Sequence, residues 1–176
     1  SRTLAEALAR RLREADGPEI LIVLPKEAEG WLEQKAMDGA RRKLLHLLWH
    51  ADQHKRLGVY YPVTQGGEPV YVHAKIMIVD DWLLRVGSSN LNNRSMGFDT
   101  ECDIAVEVTS GMTNDAQTRE TIETIRRDLL CEHLGIEAET SAAALKGCSG
   151  SLLNAVENLR GGGRTLEPLR SADIAD

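Results

Sequence analysis

The sequence is short of several things, and each shortage removes a class of protein. Three cysteines occur in 176 residues, Cys102, Cys131 and Cys148, with no CxxC pair and no plausible disulfide framework, which suits a reducing compartment. No apolar run approaches the ~18 residues of a membrane span. Ser1-Arg2-Thr3 shows neither an initiator Met nor a signal-peptide pattern, so a piece of a longer chain is expected, with any membrane segments of the parent outside it. Basic charge is scarce as well: 21 Lys+Arg against 27 Asp+Glu leave a net charge of −6. No general basic surface is then available for sequence-independent binding to nucleic acid. The length holds one domain with a proper core and no second full one, and no repeat of solenoid period occurs. What is present, 42% hydrophobic and 27% charged residues with 4% aromatics, is globular composition.

The patterning reads as alternating helices and strands. Thr3 and Glu6 form a T-x-x-E capping box, followed by Leu4, Leu8 and Leu12 at helical spacing up to Gly17-Pro18. Ile20 to Leu24 is a short apolar run suited to a strand buried on both faces. A second helix is expected from about Trp31 to Leu57, with Met37, Ala40, Leu44, Leu48 and Ala51 on one stripe and Gly58 ending it. Strand-like runs follow at Val59 to Val63, Pro69 to Val79, Trp82 to Val86 and Asp103 to Val108, with Asp80-Asp81 as a turn. A helix starting near Asn114 runs to Gly135. The fold class is therefore α/β, a layered α-β-α sandwich, and the short Asp80-Asp81 turn makes its sheet mixed. Residues 1–135 read as the core domain and 136–176 as an appendage with one short helix and a Gly-rich linker.

Val72-His73-Ala74-Lys75-Ile76-Met77-Ile78-Val79-Asp80 is the most informative stretch. On a strand of period two, His73 and Lys75 project from one face. An imidazole and an ammonium on an otherwise apolar strand are costly to bury without a partner, and an anion supplies one. Asp80, an odd number of positions from His73, points to the other face or caps the turn, a structural role. Gly87-Ser88-Ser89-Asn90-Leu91-Asn92-Asn93-Arg94-Ser95 is a small polar loop dense in donors, able to bind phosphate oxygens. Glu101 is placed to accept a hydrogen bond from one imidazole nitrogen and so leave the other free to act.

H-x-K-x4-D followed by G-S-x-N resembles the HKD motif of the phospholipase D superfamily. The stretch from His73 through Asn90 to Glu101 is similar to the second motif of phospholipases D and cardiolipin synthases of bacterial type, and the likeness extends over roughly residues 1–135. The resemblance implies metal-independent, cofactor-free phosphodiester chemistry through a phosphohistidine, either hydrolysis or transphosphatidylation of phospholipids. It implies that His73 is catalytic, that Lys75 and Asn90 hold non-bridging oxygens, that Glu101 orients His73, and that Ser88 supports the phosphate or imidazole network. Arg94 either touches substrate or bridges loops through Asp99 or Asp103. Such chemistry needs two motifs, and no second H-x-K occurs in the chain. The second set comes from another copy, as in single-motif nucleases of the family, or from a missing N-terminal half, which the Asn92-Asn93-Arg94-Ser95-Met96 continuation favours. A homodimeric nuclease and an inactive half-domain that binds phosphate or its partner are the alternatives. A cytoplasmic or peripheral-membrane setting is implied.

Other signals have plainer readings. His46, His50 and His54 recur every four residues but lack the Glu of H-E-x-x-H, so a solvated face is expected and not zinc. Trp31, Trp49 and Trp82 read as packing residues ahead of lipid anchors. Gly161-Gly162-Gly163 follows a helix and reads as a linker.

Overall fold

The structure, a computed structural model, describes residues 1–27, 31–109, 111 and 113–174, with side chains outside 31–38. Helix α1 (Arg2–Arg13), strand β1 (Ile20–Val23), helix α2 (Trp31–Ala51) and strand β2 (Leu57–Val63) open the chain in the expected α-β-α order. β1 and β2 pair in parallel, a geometry that requires a crossover such as α2 supplies. Ser1 stands at the N-cap of α1 and Thr3 lies inside the helix, so the expected capping box does not form. α2 stops at Ala51, short of the expected Leu57. The cause is Asp52, whose carboxylate accepts from the backbone N–H of Arg56 (2.7 Å) and of Leu57 (3.1 Å) and turns the chain into β2. Among the described side chains of α2, Leu45, Leu48 and Ala51 are buried, while Ala40 is exposed; Trp31 and Met37 lie outside the described side chains.

Strands β3 (Lys75–Val79), β4 (Leu83–Gly87) and β5 (Asp103–Glu107) form a separate antiparallel sheet in the order β3-β4-β5. The strand expected from Pro69 therefore begins at Lys75, and His73 precedes it. β3 is an edge strand of a small sheet, not the centre of one continuous sheet. Between β4 and β5 lies helix α3 (Asn93–Gly97), where a polar loop was expected. Asn92 makes it possible, its side chain accepting from the Ser95 N–H at 2.8 Å.

Helix α4 (Asp115–Leu134) ends at Gly135 in the left-handed region, φ 63°, as expected of a glycine C-cap. Beyond it the structure departs from the appendage reading. Residues 136–174 carry helices α5 (Ala138–Gly147) and α6 (Leu152–Leu159), strand β6 (Thr165–Pro168) and a 3-10 turn at Ser171–Ile174. β6 pairs antiparallel with β2, completing a mixed β1-β2-β6 sheet. Pro168 is tolerated because β6 is an edge, and Pro62 because it lies beyond the last β1 partner of β2.

This sheet is covered on both faces. Tyr60, Leu130, Leu134, Leu153, Val156 and Leu166 form one cluster, with Leu21 and Val23 against it. Ala9, Leu12, Leu48 and Ala51 form another against Ile20 and Ile22. Alternate residues of β1 thus feed opposite layers, and a wholly apolar Ile20–Val23 is what that requires. The Tyr60 hydroxyl donates to Glu157 at 2.7 Å, and burial with that neighbouring carboxylate pushes the phenol well above its ordinary value. Residues 161–163 serve as the short connection from α6 into β6.

Candidate active site

The site stands at one end of the β3-β4-β5 sheet. Lys75, Gly87 and Asp103 lie opposite one another across the three strands, and the pairing runs on through the Ser88 N–H, which donates to Cys102 O at 3.0 Å. Period-two alternation puts Lys75, Met77, Arg85, Asp103 and Ala105 on one face and Ile76, Ile78, Leu84, Val86, Ile104 and Val106 on the other. The sheet end therefore carries the polar residues and the opposite face is aliphatic throughout.

His73 is exposed, its ring stacked on Tyr71 at 6.1 Å between centroids and 21° between planes. The half-buried Lys75 donates from Nζ to His73 O at 2.6 Å, which ties the pre-strand segment to β3. No carboxylate among the described residues forms an ion pair with Lys75. Three N–H donors sit on its ammonium, and one of them is used among the described residues.

Glu101 meets Ser88, not His73: the Ser88 hydroxyl donates to Glu101 Oε2 at 2.5 Å and accepts from the Cys102 N–H at 3.0 Å. No hydrogen bond joins Glu101 to His73 among the described residues. The donor-rich loop is also less free than its composition promised. The N–H of Ser88 is spent on Cys102 O, and the N–H of Ser89 on Asp103 Oδ1 at 3.3 Å. The Ser88 and Ser89 hydroxyl protons are spent on Glu101 and Asp103. Asn90 is exposed, and its side chain forms no hydrogen bond among the described residues.

Arg94 pairs with Asp99, Nη2 to Oδ1 at 3.0 Å, within one short loop. Of the two carboxylates named for it, Arg94 meets Asp99 and not Asp103. Asp80 is at the far end of β3, ~16 Å from Lys75 at ~3.3 Å per residue, in a turn with φ 49°. Its carbonyl accepts from Arg126 at 2.9 Å while Asp81 pairs with Arg119 at 2.8 Å, so the hairpin turn is fastened to α4.

The cluster that sequence reasoning missed is Arg85, Ser89 and Asp103. Asp103 accepts from both the N–H and the hydroxyl of Ser89 and pairs with Arg85 Nη2 at 3.0 Å. The Ser89 hydroxyl, with the Arg85 guanidinium behind it, holds the Asp103 carboxyl below its ordinary range. Same-face alternation of Arg85 and Asp103 was the available signal, but the strand register that makes them neighbours was not.

Elsewhere, His46 bonds the Ser171 hydroxyl through Nδ1 at 3.1 Å and packs edge-on to Trp49. A groove of about 340 Å³ lined by Trp49, Tyr60, Glu157, Leu169, Arg170 and other residues contains none of the His73 motif. Among the described residues, no helix is long and apolar enough to cross a membrane.

Comparison with known proteins agrees with the motif. The family model described as Phospholipase D matches residues 49–158, well past the expected limit at 135. Phospholipase D alpha 4 of Arabidopsis thaliana is 35% identical over 104 residues, 59% of this chain and 13% of that protein. Phospholipase D1 of Schizosaccharomyces pombe is 35% identical over 79 residues, 41% of this chain and 6% of its own length. Phospholipase D alpha 1 of Cynara cardunculus is 31% identical over 121 residues, 60% of this chain and 15% of that protein. The chain thus spans a small fraction of the curated relatives it matches.

Proposed function

The chain belongs to the phospholipase D family, and from that premise we propose that it supplies one half of a metal-independent site cleaving phospholipid phosphodiesters. The observation that carries this reading is an exposed imidazole two residues before an ammonium that bonds the His73 backbone carbonyl and, among the described residues, no carboxylate, at the sheet end that carries the Ser88–Glu101 pair. In the proposed chemistry an imidazole nitrogen attacks phosphorus, a P–N bond forms, and the P–O bond to the leaving alcohol breaks. A second histidine gives its proton to that oxygen. The same group then takes a proton from water or an acceptor alcohol, which displaces the first nitrogen and completes hydrolysis or transphosphatidylation.

His73 is one of those two groups, and the other belongs to a second copy of the chain or an N-terminal half. Lys75 and Asn90 hold the non-bridging oxygens, since the loop donors of Ser88 and Ser89 are already committed. Glu101 then acts through Ser88, anchoring the loop beside the imidazole.

A second reading is favoured by the bare aliphatic face beside the motif. Ile104 is 71% exposed, and Ile76, Val86 and Val106 are exposed as well. A half-domain left without its covering layer shows such a surface, so the chain alone binds phosphate but does not turn over. The readings separate in one assay: release of head group from phospholipid vesicles with chelator present. Turnover lost in His73→Ala supports a self-paired site. Turnover appearing only when a chain carrying the other motif is added supports the half-domain. Turnover unchanged by His73→Ala overturns both.

A further inference from the structure

We infer that Asp103 is a positioning residue for the phosphate site, holding the Gly87–Asn90 loop through Ser89 and Arg85 so that Asn90 stands beside Lys75. The inference rests on the proposed phosphodiester reading and adds a residue to it. Ser89 is buried, and its N–H and hydroxyl both end on the two oxygens of one carboxylate. Arg85, 16% exposed, neutralises that carboxylate at 3.0 Å and reaches Ser89 O at 3.4 Å from the same nitrogen, Nη2. Three hydrogen bonds to two side chains thus fix the residue between Ser88 and Asn90. A partly dehydrated carboxylate bound in this way makes charge-assisted hydrogen bonds, the stronger kind.

Gly87 supplies an independent observation. A Cβ there would fall 1.9 Å from Asp103 Oδ1 and 2.6 Å from Cys102 O. The carboxylate therefore lies across position 87, directly opposite Lys75 in the ladder. Only a residue without a side chain lets Asp103 reach Ser89, so glycine at 87 and aspartate at 103 act as one device. Exposed side chains such as Asn90 carry no packing of their own to hold them. Their position depends on the backbone beneath.

The test is vanadate affinity of the whole chain, with amide exchange at Ser88 to Asn90, at a temperature where each variant is folded by circular dichroism. Asp103→Ala and Gly87→Ala are expected to weaken vanadate binding about tenfold and to speed exchange at Ser89, leaving exchange in β2 unchanged. Asp103→Asn, which keeps an acceptor for Ser89, is expected to recover part of the loss. Should Asp103→Ala not fold, Ser89→Ala removes the hydroxyl bond alone and is expected to show a smaller loss in the same direction. Wild-type binding with equal affinity in every variant overturns the proposal. Absence of vanadate binding in wild type overturns the phosphate-site reading itself, and the proposal with it.

Discussion

The two sheets of this protein are built from similar material and meet opposite fates. β1-β2-β6 is mixed, buried on both faces, and clamped between α1 and α2 on one side and α4 and α6 on the other. β3-β4-β5 is antiparallel, polar at the site end of one face and aliphatic over the whole of the other, which is largely exposed. The first sheet is where the free energy of folding resides, since apolar area removed from water contributes ~25 cal/mol per Å². The second carries the residues proposed for the chemistry. Separation of the two lets polar groups such as the exposed His73 and the half-buried Lys75 persist without the core having to accommodate them.

That contrast can be broken from either side. His73→Ala should remove at least ~10³-fold of turnover by the complete two-motif site while leaving thermal unfolding in place, because an exposed imidazole stacked on an exposed Tyr71 adds little to the core. Leu166→Ala, at a position with 0% exposure, should cost ~3 kcal/mol in urea unfolding, the combined loss of transfer energy and a new cavity. A value near zero there would show residues 136–174 to be the appendage their composition suggested. Lys75→Met should weaken vanadate binding about tenfold, the worth of one charge-assisted contact; unchanged affinity would remove Lys75 from the site.

A pH effect comes next in size. Burial first, and then the Arg164 charge, hold the His133 imidazole below its ordinary value of 6.5. The native state then binds less proton than the unfolded chain below that pH, so stability is complete above 6.5 and falls as pH drops through the native value. His133→Gln should flatten that slope in thermal unfolding between pH 7 and pH 5. The smallest effect should come from Ile104→Thr on the bare face, within ~0.5 kcal/mol of wild type. A large loss of stability would mean the face is covered in solution, and a concentration-dependent melting temperature would identify the cover as a second copy.

Much of this was legible because it is local. The apolar run Ile20–Val23, the glycine stop at Gly135 and the Asp80-Asp81 turn each depend on a few neighbouring residues, and each stands where the sequence puts it. H-x-K with G-S-x-N and Glu101 at its distance was enough to bring out the family, which the match over residues 49–158 shows. The misreadings were of pairing. Asp52 taking two backbone donors ended α2 early, and no periodicity reports a side chain that captures an N–H. β6 looked like tail because four residues, Thr165–Pro168, become a strand only when β2 offers them an edge.

The site divides along the same line. The residues proposed for phosphate chemistry follow from the order of side chains along the chain, since alternation on a strand and a short turn are properties of the backbone itself. Which of them remain available was decided in three dimensions. Ser88 committed its proton to Glu101, Ser89 gave both donors to Asp103, and Lys75 met no carboxylate among the described residues, because a hydrogen bond belongs to whichever partner the register brings within reach.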